Sequence, residues 1–115
     1  MLERLIKSFT NAFKGLGFAL LKGRNFQIQI GIAIIVIILM FYFDVYYLEK
    51  IVLLILIALV LSLELINTSS ERILNILEPR IHPQVRLIKD LNAASVLIMS
   101  IFSLIIGIFI FWQYF

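Results

Sequence analysis

The chain has 115 residues, 63% of them hydrophobic, and a formal net charge of +3. Soluble domains contain roughly 45–50% apolar residues, so the composition indicates one small integral membrane domain. The lack of cysteine excludes a disulfide framework or a thiolate metal site, and a single histidine excludes a zinc site built from His and Cys. The basic residues flank apolar segments and form no stripe on a soluble face, which argues against nucleic-acid binding.

An amphipathic helix is predicted at the N-terminus, over about residues 2–21. Its apolar face carries Leu2, Leu5, Ile6, Phe9, Phe13, Leu16 and Leu20, and its polar face carries Glu3, Arg4, Lys7, Asn11 and Lys14. A helix of this kind lies on a membrane surface. It lacks the continuous apolar core and the small-residue cleavage site of a signal peptide.

Three membrane-spanning helices are predicted to follow, over about residues 26–43, 50–77 and 86–113. The first is uncharged over 18 residues, enough to cross a hydrocarbon core of about 30 Å at about 1.5 Å per residue. The second is aliphatic in its first half and polar on one side of its second half. Two prolines in residues 78–83 disfavour helix between the last two spans. The predicted fold is therefore an all-α membrane protein with one surface helix and three spans.

The basic residues predict the orientation of these helices. Nine of the ten fall on one side of the spans: Arg4, Lys7, Lys14, Lys22, Arg24, Arg72, Arg80, Arg86 and Lys89. The positive-inside rule makes that side cytoplasmic, so we expect a multi-pass protein of the cell inner membrane with a cytoplasmic N-terminus. Aromatic residues gather at the opposite side and predict an interfacial belt there: Phe41, Tyr42, Phe43, Tyr46, Tyr47, Trp112, Tyr114 and Phe115.

Four polar residues lie along one side of the second span. Glu64, Asn67, Glu71 and Asn75 recur at helical spacing, and we call them the polar stripe. A carboxylate in a membrane costs a few kcal/mol even on lenient scales, so the stripe is expected to face protein. One interpretation is a polar contact that joins helices. The other is a site, which two acids on one stripe favour because like charges repel unless a cation or a proton lies between them.

Magnesium and phosphate are the ligands that this pattern suggests. Mg²⁺ is usually held by one or two carboxylates together with substrate phosphates. Lys89 and Asp90, near the start of the third span, are expected at the depth of Glu71. A lysine beside a magnesium site is typical of phosphate binding. The alternative for Lys89 is a membrane anchor whose ammonium group extends to the interface.

Several segments carry a resemblance to a known family. They are Glu64-Leu-Ile-Asn67-Thr-Ser-Ser-Glu71, Ile88-Lys89-Asp90 with Asn92-Ala93-Ala94-Ser95-Val96, Phe13-Lys14-Gly15-Leu16, Arg24-Asn25-Phe26 and His82-Pro83. Together they resemble the small prokaryotic diacylglycerol kinases, a family that includes undecaprenol kinases. The resemblance extends over nearly the whole chain. The Arg-Asn-Phe and His-Pro elements look closer to the undecaprenol kinase branch.

The resemblance implies a homotrimer in the membrane with its sites between subunits. It also implies a lipid kinase that transfers the γ-phosphate of MgATP to a membrane lipid, either undecaprenol or diacylglycerol. By position, Glu64 is implied as the catalytic base and Glu71 as the Mg²⁺ ligand. The residues implied in ATP binding are Arg4, Asn67, Glu71, Lys89 and Asp90. The sequence contains no Walker A loop or glycine-rich kinase loop. Phosphate binding must therefore come from side chains of membrane helices.

The chain departs from the family pattern at three acidic positions. Gly23 stands where a metal-binding glutamate is usual, and Gln29 and Asn75 replace further acids. Their amide oxygens offer metal or polar support, but they bind a hard cation less strongly than carboxylates. Two functions follow from this pattern. The first is an active lipid kinase with fewer acidic metal ligands, and the second is a catalytically impaired relative that acts as a membrane assembly or lipid-binding protein.

Overall fold

The computed structural model describes residues 1–76 and 83–115, and this part of the chain forms four α-helices: α1 (Leu2–Lys22), α2 (Arg24–Tyr42), α3 (Tyr47–Ile76) and α4 (Pro83–Trp112). Three of them, α2, α3 and α4, are long and apolar enough to cross a membrane. The prediction of an all-helical multi-pass membrane protein is confirmed at this level. The predicted break at 78–82, which includes His82, lies outside the described residues.

The helix boundaries differ from the prediction mainly at the N-terminal ends of α3 and α4. The described part of α4 starts at Pro83, before the predicted start near residue 86, and a proline is compatible with the first turn of a helix. Helix α3 begins at Tyr47 and not at residue 50. The turn before it is short because Asp44 adopts a positive φ of 47°, which reverses the chain within a few residues.

A one-residue corner joins α1 to α2, and we call residues 19–27 the elbow. Gly23 is the single residue between the two helices, and its N–H donates to the carbonyl of Ala19 at 2.8 Å. The side-chain amide of Gln27 donates to the carbonyl of Leu20 at 2.7 Å. Ala19 and Phe26 are each only 2% exposed. These contacts fix the angle between α1 and α2.

The opposite end of the spans is packed by aromatic and aliphatic side chains. Met40, Val45, Leu53, Ile110 and Phe111 form a buried cluster there. The rings of Phe43 and Phe115 meet edge to face, with centroids 5.0 Å apart. This region, residues 40–53 and 109–115, is called the aromatic end below. It contains the aromatic residues that the sequence groups on one side of the spans.

Polar contacts at the aromatic end converge on Glu49. The hydroxyl of Tyr114 donates to Glu49 Oε1 at 2.9 Å and accepts from the N–H of Tyr46 at 3.0 Å. The amide of Gln113 donates to Glu49 Oε2 at 3.3 Å. Each contact joins the C-terminal end of the chain to the turn before α3 or to its first turn. Because apolar burial contributes little between helices surrounded by lipid, such hydrogen bonds matter for the alignment of α3 and α4.

The three spans leave an apolar groove of about 750 Å³ between them. Ala33, Val60 and Gly107 are among the small or short side chains in its walls. The hydroxyl oxygens of Ser100 and Ser103 lie in this groove without a hydrogen-bond partner from the described residues. The groove is therefore a surface where the described chain alone leaves helix packing incomplete.

Candidate functional site

The polar stripe is buried at its deeper half and open at the other. Glu64 is 3% exposed and Asn67 is 8% exposed, so this half faces protein as predicted. Glu71 and Asn75 are exposed. The described part of one chain therefore buries Glu64 and Asn67 but leaves the rest of the stripe exposed.

The polar side chains of α3 differ in whether their hydrogen bonds are satisfied. The hydroxyl of Thr68 donates to the backbone carbonyl of Glu64 at 2.9 Å, a bond within the helix that satisfies the hydroxyl. The side-chain oxygen of Asn67 is buried with no hydrogen-bond partner among the described residues. A buried polar atom left unpaired costs about 1–3 kcal/mol. Asn67 therefore has a buried oxygen whose hydrogen bond the described residues do not supply.

The two carboxylates of the stripe belong to one face of α3. Glu64 and Glu71 are two helical turns apart there. No hydrogen bond from the described residues reaches the carboxyl group of Glu64. A buried acid in this setting requires a cation, a proton or a donor supplied from elsewhere.

Lys89 connects α4 to the polar stripe. Its ammonium nitrogen Nζ lies 2.6 Å from the side-chain oxygen of Asn75. Lys89 is half-buried, and its neighbour Asp90 is exposed. The expected approach of Lys89 to α3 is observed, but its contact is Asn75, one helical turn beyond Glu71.

Arg4 and Gln29 lie apart from this group. Arg4 is exposed in the first turn of α1, at the far end of that helix from the elbow. Gln29 is half-buried on α2 and lines the apolar groove, whose α3 wall ends at Leu61, one turn before Glu64. The described chain thus brings Lys89 to Asn75, at the end of the stripe, and leaves Arg4 and Gln29 outside this contact.

A contact that the sequence interpretation missed ties α1 to the site. The guanidinium of Arg72 lies over the ring of Phe18, 4.9 Å from its centroid, a cation–π contact between residues far apart in sequence. Such contacts contribute about 0.5–2 kcal/mol, depending on desolvation. The available signal was Phe18 itself, an aromatic residue outside the apolar face predicted for α1.

Gly23 lacks a carboxylate, and neighbouring atoms of the elbow also leave little room for a side chain at this position. A Cβ atom at this position would lie 2.8 Å from the carbonyl oxygen of Ala19 and 3.3 Å from Cβ of Phe26. The first distance is too short for a carbon beside backbone oxygen, so any side chain here requires the elbow to open. A glutamate at this position would therefore displace the backbone of the elbow before its carboxylate could reach a metal ion.

The donor set fits a magnesium ion that is held jointly with phosphates. No group of three His, Cys, Asp or Glu side chains in residues 1–76 and 83–115 could hold a metal ion by itself. Mg²⁺ commonly takes one or two carboxylates and fills its remaining positions with water and phosphate oxygens. Glu71 is accessible and could supply one such carboxylate.

Comparison with known proteins gives two matches. Residues 10–111 match the family model described as prokaryotic diacylglycerol kinase. The chain is also similar to an undecaprenol kinase from Bacillus subtilis (strain 168), with 34% identity over 110 residues that cover 96% of this chain and 89% of the relative. The family match includes the whole polar stripe, Lys89 and Asp90, whereas Arg4 lies before it.

Proposed function

Because the chain belongs to the prokaryotic diacylglycerol kinase family, we propose that it is a lipid kinase that transfers the γ-phosphate of MgATP to the hydroxyl of a membrane lipid alcohol. Undecaprenol is the proposed acceptor, since the relative with 34% identity is an undecaprenol kinase. Diacylglycerol, after which the family is named, is the second candidate acceptor.

The observation that carries this proposal is the buried carboxylate of Glu64, which is 3% exposed and receives no hydrogen bond from the described residues. An acid held in this state is suited to accept a proton from a lipid hydroxyl at the membrane boundary. The lipid oxygen then forms a bond to the γ-phosphorus while the bond from that phosphorus to the β–γ bridging oxygen breaks. ADP leaves, and the proton stays on Glu64.

The groups nearer the open end of the stripe are proposed to bind the nucleotide. Lys89 offers a positive charge to the phosphate oxygens, and the accessible Asp90 lies beside it. Glu71 is proposed to hold Mg²⁺ together with the phosphates, where the ion would neutralise phosphate charge, and Asn67 is proposed to help position the nucleotide. Phosphoryl transfer depends mainly on such positioning and charge neutralisation.

A homotrimer is proposed as the working form. Buried residues make up only 17%, 22% and 11% of the most apolar windows of α2, α3 and α4, so one chain covers little of its own spans. The unpaired oxygens of Asn67, Ser100 and Ser103 and the distant position of Arg4 also favour a site that another copy completes. Polar groups in membranes are satisfied by neighbouring helices.

We also propose that α1 lies on the cytoplasmic surface of the inner membrane, with its apolar face in the lipid interface. This proposal rests on the distribution of basic residues. The alternative of a non-enzymatic assembly or lipid-binding protein rests on Gly23 alone. Glu64, Asn67, Glu71, Lys89 and Asp90 are all retained, and intramembrane acids are costly to keep without a role.

A phosphorylation assay tests the proposed function. The purified protein in detergent micelles is given MgATP labelled at the γ-phosphate, with undecaprenol and diacylglycerol offered separately. We expect label in extracted lipid, with more on undecaprenol, and none with Glu71→Ala, because that variant lacks the proposed metal ligand. Label on neither lipid would contradict the kinase proposal, and label on diacylglycerol alone would correct the acceptor.

A further inference from the structure

Asn75 makes the contact that sets the position of Lys89. Its side-chain oxygen, in the last described turn of α3, accepts a hydrogen bond of 2.6 Å from Nζ of Lys89, in the second turn of α4. We propose that Asn75 is a positioning residue, which holds this ammonium group for phosphate binding without neutralising its charge. The inference rests on the proposed function and assigns Asn75 a role other than metal support.

The charge of Lys89 is preserved in this arrangement. An amide is neutral, and it occupies one of the three N–H donors of an ammonium group, which leaves two for phosphate oxygens. Among the described residues, a salt bridge joins Lys50 to Asp44 at the aromatic end, and none involves Lys89. Neither Glu71 nor Asp90 therefore lies within ion-pairing distance of Lys89.

Holding Lys89 in place also favours phosphate binding through entropy. A lysine side chain has four flexible methylene groups, and a free ammonium at a helix surface samples many positions. Lys89 is half-buried and docked on α3, so part of its freedom is lost before the nucleotide arrives. A group ordered in advance binds its ligand more tightly than one ordered during binding.

An aspartate at position 75 has nearly the same shape as asparagine and the opposite consequence. Its carboxylate would pair with Lys89 and compete with phosphate for the ammonium group. Leucine, also of similar size, would accept no hydrogen bond and would leave Lys89 unheld. Glutamine would retain the amide acceptor on a longer side chain.

The test measures binding of the magnesium complex of AMP-PNP, a non-hydrolysable ATP analogue, by calorimetry in micelles at saturating Mg²⁺. We expect Asn75→Asp to raise Kd about three- to tenfold, Asn75→Leu to raise it about threefold, and Asn75→Gln to stay within about twofold of the unmodified protein. In kinetics, KM for ATP should rise while KM for the lipid stays constant. Asn11→Asp, the same change on α1, should leave Kd unaltered.

A double-mutant cycle separates positioning from a general structural effect. With Lys89→Met already present, Asn75→Asp should change Kd by less than about twofold, because the group that Asn75 holds is gone. An unchanged or lower Kd for Asn75→Asp alone, or an equal rise in both backgrounds, would overturn the inference. If the unmodified protein binds the analogue but phosphorylates no lipid, the proposed function fails; if it phosphorylates lipid and Asn75→Asp binds normally, only this inference fails.

Discussion

Two of the three glutamates of helix α3, Glu49 and Glu64, lie 15 positions apart, and their surroundings differ. At the aromatic end, both oxygens of Glu49 accept hydrogen bonds, from Tyr114 and Gln113. Glu64 is more deeply buried, and no described residue donates to its carboxyl group. An acid that its own chain satisfies stabilises the fold, whereas an acid left without donors is available to a substrate.

The sharpest test of this comparison replaces each glutamate with glutamine. Glu64→Gln removes the proposed base and should lower kcat about 10²- to 10⁴-fold, with little change in nucleotide binding, because a base acts in the chemical step. Glu49→Gln is the matched control and should keep kcat within about twofold, since its amide oxygen still accepts from Tyr114. The measurement is kcat of each purified variant in detergent micelles. Normal turnover by Glu64→Gln would remove the distinction between the two ends.

Position 23 tests how far the elbow limits the site. Gly23→Ala and Gly23→Glu both place a Cβ 2.8 Å from the Ala19 carbonyl, and each should lower the free energy of unfolding by about 1–3 kcal/mol, as overpacking does. Only Gly23→Glu adds a carboxylate, so it alone should lower the Mg²⁺ concentration for half-maximal activity.

Unfolding in micelles and magnesium titrations of activity measure the two effects of Gly23 separately. If alanine is tolerated without loss of stability, the elbow is looser than its contacts indicate. If Gly23→Glu leaves the magnesium dependence unchanged, the added carboxylate does not reach the site, and the family's metal arrangement does not transfer to this chain.

The smallest expected effect is at the aromatic end. Tyr114→Phe deletes the hydroxyl that donates to Glu49 and accepts from Tyr46, which should lower the free energy of unfolding by about 1–2 kcal/mol. Tyr42→Phe removes a hydroxyl from an exposed neighbour and should cost less than about 0.5 kcal/mol. Neither change should alter kcat by more than about twofold. A large loss of turnover in Tyr114→Phe would show that this end is coupled to the site.

Sequence patterns predicted the helices well because apolar runs of membrane length carry a strong signal. The uncharged stretch from Phe26 and the two prolines around residue 80 were sufficient to divide the spans. Helical spacing also predicted that Glu64 and Asn67 share one face, and both are buried. These features depend on neighbours along the chain.

The contacts between helices could not be predicted in the same way. The pairing of Lys89 with Asn75, and of Arg72 with Phe18, depends on how α3 packs against α4 and α1. The sequence predicted Lys89 at the depth of Glu71, whereas its contact is with Asn75, one helical turn further along. The crowding at Gly23 could not be predicted from the sequence either, since it arises from the angle between α1 and α2.

The one-residue elbow also bears on how the protein meets membranes of different thickness. Helix α2 has 19 residues, a length of about 28 Å, close to the hydrocarbon thickness of a bilayer. A span usually adapts to a thinner or thicker bilayer by tilting. Because Gly23 and Gln27 bind α2 directly to the end of α1, a change in the tilt of α2 would also change the direction of α1. The acyl-chain length of the host lipids would then strain or relax the Arg72–Phe18 contact, which joins α1 to α3.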